Sequence, residues 1–319
     1  RMAFCYPVRA WLAITTTVVA VLMQLSIPVF LGQAVDQTLA VAEARAEPET
    51  LYPIALLLLF ASIARGIFTL IHNYTAESVG HLMARDIRNA VYGKIQSLPF
   101  SFHDRTHSGD LITVGMLDLE GVRMFFSTAL VRTVLLSLLI GLGATLLLST
   151  NLTLGLLALS FVPFAGWRSA VMRLALRKTW LILQERLGIL SQVMEENLGG
   201  IRVVRAFASS EHEMKKFEIA SKSALELSHK RIETRVQNTS IMTLAFFVSM
   251  GLVLYFGGRQ VSSGEITLGT LATFLTFMTI LQMPVRQLGM MVNGYARAST
   301  CGARLFALID HESETDNVP

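Results

Sequence analysis

Residues 125–149 read FFSTALVRTVLLSLLIGLGATLLLS, and this stretch decides the fold. Arg132 is its one charged side chain. A hydrocarbon core of about 30 Å takes about 20 helical residues to cross, so the run is long enough. With no water in that medium, every backbone N–H and C=O has to bond within its own segment, which dictates a helix. Working outward, comparable runs occupy 11–35, 51–71, 152–167, 241–258 and 268–291, giving six candidate spans. The first is too long for a signal peptide and lacks a small-residue cleavage site. The fourth is short, and it gains length if it runs past Arg168 with that side chain snorkelling. Of the 319 residues 52% are hydrophobic and 16% charged, against about 25% charged in soluble domains. A soluble enzyme, a disordered chain and a disulfide-stapled module are excluded. The expected fold is all-α, with six transmembrane helices.

The distribution of the 27 Lys and Arg residues sets the orientation, because basic residues flanking spans stay in the cytoplasm. Twenty-three fall on one side, which places both termini in the cytoplasm. The outer loops, 36–50, 150–151 and 259–267, are short. The inner stretches are long and keep helical spacing: Val79, Leu82, Met83, Ile87, Val91 and Ile95 before Pro99, then Leu187, Leu190, Met194 and Leu198 before the break at Gly199 and Gly200. The membrane helices are therefore expected to run on into the cytoplasm as two helical hairpins, each closed by a short turn.

No Gly-rich phosphate loop and no metal-ligand spacing occur in the sequence; His212-Glu213 lacks a second His. Catalytic, cofactor and metal residues are expected to be none. Cys5 and Cys301 both fall on the cytoplasmic side and read as reduced thiols. Asn151-Leu152-Thr153 fits a glycosylation sequon, but it abuts the membrane and reads as a turn.

The two inner turns carry a family likeness. Following Leu98-Pro99-Phe100, the segment from Phe102 through His103, Asp104, Arg105, Ser108, Gly109 and Asp110 to Ile112, with Asp118 and Val122, resembles the first intracellular loop of ABC exporters. Gly200-Ile201-Arg202-Val203-Val204-Arg205-Ala206-Phe207, with Glu211, Glu213, Lys216 and Phe217, is similar to their second. Phe256-Gly257-Gly258, Gly264-Glu265-Ile266-Thr267, Gly269, Leu271 and Phe274 resemble the start of their sixth helix, and Pro284-Val285-Arg286, Leu288-Gly289 and Arg304 through Asp310 its end. One departure is visible, since family members usually carry a basic residue where Val114 stands.

The resemblance implies an ABC exporter transmembrane domain over residues 1–310, with 311–319 beginning a linker to an ATPase domain expected beyond Pro319. Two such domains, as a homo- or heterodimer, would enclose a cavity within the membrane lipids, and nucleic acid would play no part. ATP and Mg would be held by the nucleotide-binding domain, so this chain alone should not hydrolyse ATP. Coupling helices would lie near 102–109 and 207–214, with Phe102, Asp104, Ser108, Gly109, Ala206, Phe207, Glu211 and Glu213 coupling to the ATPase domain. The implied setting is a bacterial inner membrane, and the implied cargo a lipid, drug or other amphipathic molecule. Taken alone, the spacing around Phe207 also fits an ordinary amphipathic turn whose ring packs on its own hairpin.

Arg65 and Arg132 fall at similar depths, each about 10 Å from the inner edge of the core. A charge placed there either faces a cavity or snorkels to lipid phosphates. In the first case the two would favour an anionic headgroup. The sixth run carries Thr267, Thr270, Thr273, Thr276 and Thr279 at every third position, beside Phe274, Phe277 and several Met residues. Thr273, Thr276 and Phe277 are candidate cavity residues, although Thr hydroxyls in membrane helices also bond carbonyls four residues back. Pro284 is expected to kink this span. An ATP-independent secondary transporter or channel is the alternative; the runs give no inverted repeat in its favour.

Overall fold

The computed structural model describes residues 6–311, apart from the side chains of residues 286, 288–290, 292 and 293. Arg1, Cys5, residues 312–319 and the side chains of Arg286, Leu288, Gly289 and Met290 lie outside the described residues. Among the described residues all regular structure is helical: α1 (Pro7–Ala42), α2 (Leu51–Ser97), α3 (Phe100–Arg105), α4 (Ser108–Thr150), α5 (Leu152–Leu159), α6 (Phe161–Gly199), α7 (Ile201–Ala206), α8 (Ser210–Ser262) and α9 (Leu268–Ile309). Six segments are long and apolar enough to cross a membrane: α1, α2, α4, α5 with α6, α8 and α9.

Helix lengths follow from the punctuation of the chain. The 47 residues of α2 run about 70 Å and stop where Leu98, held extended by the following Pro99, takes ψ 146°. Pro163 has no N–H to give the Leu159 carbonyl, and the chain breaks there between α5 and α6. The fourth span is thereby interrupted rather than short. Within α4, residues Val114–Asp118 and Phe125–Ala129 are π-helical. Each such bulge rotates the faces that follow it. The second brings Ser127 against Gly80 of α2, so closely that a Cβ at Gly80 would lie 2.6 Å from that of Ser127.

The chain divides into two compact units. The first comprises Arg1–Leu159 and Met250–Pro319. Here α1 and α9 cross with backbones in contact, because a Cβ on Gly32 would collide with the Gly269 carbonyl and one on Gly269 with the Gly32 carbonyl. Asp36 secures the crossing. One carboxylate oxygen accepts from the Gly269 N–H at 2.7 Å and the other from the Thr267 hydroxyl at 2.7 Å, at the positive end of the α9 dipole. Where α2, α4 and α9 run beyond their apolar runs, Ala84, Ile87, Val91, Leu119, Val122, Cys301, Leu305 and Leu308 form a core of their own. Val114 packs on this core, which accounts for an apolar residue where relatives of the implied family carry a basic one. Arg304 binds the buried Asp118 at 2.6 Å and ties α9 to the first π segment.

The second unit, Ser160–Ser249, holds α6 and the first part of α8. They pair in opposite directions: Phe161 meets Phe246 edge-on at 5.4 Å, Ser169 reaches the Met242 sulfur, and the Arg231 guanidinium lies 4.3 Å over the Trp180 ring. The Arg–Trp stack supplies a cation–π contact of about 0.5–1 kcal/mol at such a site.

Gly269→Ala forces the α1–α9 backbones apart. It should cost about 1–3 kcal/mol of stability, as overpacking does, and lower the melting temperature of the detergent-solubilised chain. Gly251→Ala, at a position with no atom near the added methyl, should leave it unchanged.

Candidate functional site

Three regions hold the chemistry. The first is an open cavity of about 450 Å³ within the first unit, bounded by α1, α2, α4 and α9. Arg65 and Arg132 both line it, so the structure brings together the two charges that the sequence places at one depth. Among the described residues neither guanidinium has a carboxylate partner. Thr69, His72, Asn73 and Glu77 join Arg65 at spacings of three and four, which stack on one face of α2. Gln24 of α1 and Ser127 and Thr128 of the second π segment complete the polar wall. At the far end Glu77 is bound by Arg123 at 2.9 Å, with His81 at 3.9 Å from the same carboxylate. Arg123 also grips Glu120 at 2.6 Å and holds that carboxyl below the usual carboxylate range, chiefly by hydrogen bonding.

Adjoining this cavity is a second of about 310 Å³ that shares Thr128, Arg132 and Gln287 with it. Met124, Phe125, Ala129 and Met291 make it more apolar, and Arg297 stands at its edge. A charged chamber thus opens into a soft one across Arg132. Sulfur and aromatic surfaces of this kind repack around varied hydrocarbon.

Thr273, Thr276 and Phe277 do not line either cavity. Thr273 gives its hydroxyl to the Pro28 and Gly269 carbonyls, Thr276 to Ala272 and Thr279 to Leu275. Phe277 is 2% exposed within the helix packing. The ridge of hydroxyls on α9 is used locally, as the four-back geometry allows.

The third region is the pair of hairpin tips. In the first, α3 carries Phe100 and Phe102 on different sides. Phe102 turns back onto the apolar core, edge-on to His311 at 5.0 Å, while Phe100 is 89% exposed. Asp104, Ser108 and Gly109 are exposed around the α3–α4 turn. In the second unit the tip carries α7, which begins at Ile201, six residues ahead of the expected 207–214 segment. Ala208 closes it in the left-handed region at φ 50°. Val203, Ala206 and Phe207 face outward together, with Phe207 77% exposed. Ile201 and Val204 turn the other way and line an apolar groove of about 340 Å³ with Met194, Leu198, Met214 and Phe217. Glu211 pairs with Lys215 at 3.2 Å and Glu213 with Lys216 at 2.7 Å, forming a charged rim. Lys216 holds the Glu213 carboxyl below its ordinary range. An unpaired aromatic ringed by charge is the pattern of a contact anchor.

The description "ABC transporter transmembrane region" fits residues 10–285. The ATP-dependent lipid A-core flippase of Thiobacillus denitrificans is 28% identical over 265 residues, covering 82% of this chain and 45% of that protein. Its namesake in Methylococcus capsulatus is 25% identical over 317 residues, covering 99% and 53%. An uncharacterised ABC transporter ATP-binding protein of Bacillus subtilis, YknU, is 24% identical over 262 residues, covering 81% and 44%. The chain spans about half the length of these curated relatives.

A cysteine placed at Phe207 should react within seconds with a soluble maleimide in detergent, and one at Phe277 should resist until the protein is denatured. Equal labelling of the two would contradict the described packing.

Proposed function

Because the chain belongs to the family of ABC transporter transmembrane regions, we propose that it forms one transmembrane half of an ATP-driven exporter for a lipid or similar amphipathic molecule with an anionic headgroup. The observation that carries this reading is the pair of cavities that meet at Arg132. Arg65 and Arg132, free of carboxylates, suit a phosphate or carboxylate group, and the Met- and Phe-lined chamber beside them suits hydrocarbon. Two relatives of this chain carry the name lipid A-core flippase, which agrees with that chemistry.

In this reading ATP and Mg are bound by a nucleotide-binding domain, and residues 1–310 form the transmembrane domain, with 311–319 leading towards that domain. A second transmembrane domain, identical or different, completes the cavity. Both termini and both hairpin tips lie in the cytoplasm, and the membrane is a bacterial inner membrane. The tips are the seats of the ATPase domain. Val203, Ala206 and Phe207 offer the apolar face and Glu211 and Glu213 the rim of one; Phe100, Asp104, Ser108 and Gly109 ring the other, with Phe102 bracing it from beneath. Helices α2 and α4, which carry the first tip, also bound the cavity, so a displacement at that tip is delivered to the cavity along them. ATP-driven closure below then alternates the side on which the cavity opens.

In the complete transporter, Phe207→Ala should leave basal ATP hydrolysis nearly intact while cutting transport about tenfold or more. Full, lipid-stimulated transport would count against the docking assignment. Arg65→Ala and Arg132→Ala should each weaken handling of an anionic lipid by about tenfold, the scale of one charge-assisted hydrogen bond, and spare a neutral amphiphile. Arginines that merely snorkel would leave selectivity unchanged.

A further inference from the structure

His72 is the one residue of the charged cavity whose state of charge can change near neutral pH. It sits two turns below Arg65 on α2, about 10 Å further along, with Thr69 between them. The side chain is 4% exposed. Its Nδ1 is buried without a hydrogen-bond partner. His72 lines the cavity together with Asn73 and Ser127.

The charged groups that face this space are few. From α2 come Arg65 and Glu77, from α4 Arg132, while α1 gives Gln24 and α9 gives Gln287. Glu77 is already held by Arg123 and has His81 at its other side. Among the described residues the two guanidinium charges of this cavity have no carboxylate partner, and a third cation there is unfavourable. An anion bound between the arginines reverses that balance, because it supplies the counter-charge a buried imidazolium needs. Burial on its own disfavours the imidazolium and holds the His72 ring below its ordinary range, while the same scarcity of water strengthens its attraction to a bound anion.

We propose that His72 is a third ligand of the anionic headgroup and takes up one proton as the headgroup binds. The inference rests on the assignment of Arg65 and Arg132 as headgroup ligands and adds to it a dependence on pH. The proton goes from solvent to the imidazole, and the imidazolium then donates to a headgroup oxygen. By linkage, a ligand that brings in a proton binds more tightly as pH falls, at most tenfold per pH unit, and the proton in turn binds more tightly when the ligand is present.

The test is binding of a fluorescent short-chain phosphatidylglycerol to the detergent-solubilised chain between pH 8 and pH 5.5. This headgroup is a phosphate diester and keeps a single negative charge over the whole range. The wild type should gain about three- to tenfold in affinity towards the acid end. His72→Gln, which keeps a polar donor but cannot titrate, should bind with a flat pH profile. A slope that survives in His72→Gln assigns the proton to another group, His81 included, and overturns the proposal. A second measurement needs no variant: saturating the wild type with the same lipid in weak buffer at pH 6.5 should take up a measurable fraction of one proton per chain, and no uptake overturns the proposal. If the lipid binds at no pH, or if Arg65→Ala and Arg132→Ala leave its binding unaltered, the headgroup assignment itself falls. Arginine-dependent binding with no pH slope in the wild type removes His72 alone.

Discussion

A guanidinium inside a hydrocarbon layer is costly, at roughly 2.5–3.5 kcal/mol on insertion scales for the centre of a span, unless water or a counter-charge reaches it. This chain carries two such groups in its apolar segments, and both line one cavity. Arg65 of α2 and Arg132 of α4 open onto a single cavity whose remaining walls supply Gln24, Thr69, Asn73 and Thr128. The elements around the cavity are fixed by close backbone approaches: Gly32 against Gly269, and Gly80 against Ser127 in a π-helical turn. Small residues are what allow membrane helices to meet this closely, since lipid supplies no hydrophobic drive to push them together.

The same helices leave the apolar layer and change the way they are held. Beyond it, α2, α4 and α9 pack as a soluble bundle would, around Ile87, Val91, Leu119 and Leu305, with the buried Asp118 tied to Arg304. One continuous helix thus has two solvents. That continuity connects the α3 tip to the cavity, and on this account it is how work done at Phe100 reaches a headgroup.

Much of this was legible in the sequence, and the failures have physical causes. The six runs and their long polar extensions follow from composition and period, and the structure has helices in all of those places. The shared depth of Arg65 and Arg132 follows from counting residues at 1.5 Å each. His72, Asn73 and Glu77 escaped notice because they lie just past the last apolar residue of the second run, where a polar residue looks merely solvated. Their spacing of seven, eight and twelve from Arg65 was the available signal. Thr273 and Thr276 were ambiguous for a different reason, since a hydroxyl in a membrane helix has a carbonyl within reach at every turn, and here it takes it. At the tips, family likeness singled out residues near both turns but gave no direction of side chains. Phe102 faces inward and Phe100 outward, and the Gly199–Gly200 break lets α7 start at Ile201, ahead of the expected segment.

The account stands most directly on where an anionic lipid lies when it occupies the protein. A photo-cross-linking residue at Thr69, on the cavity wall between Arg65 and His72, and another at Thr276, on the hydroxyl ridge of α9, separate the two possible seats. With the complete transporter in bilayers containing an anionic lipid, illumination should give lipid adducts at position 69 that disappear on Arg65→Ala, with few at 276. Adducts at 276 in place of 69, or adducts at 69 indifferent to Arg65, would contradict the central claim.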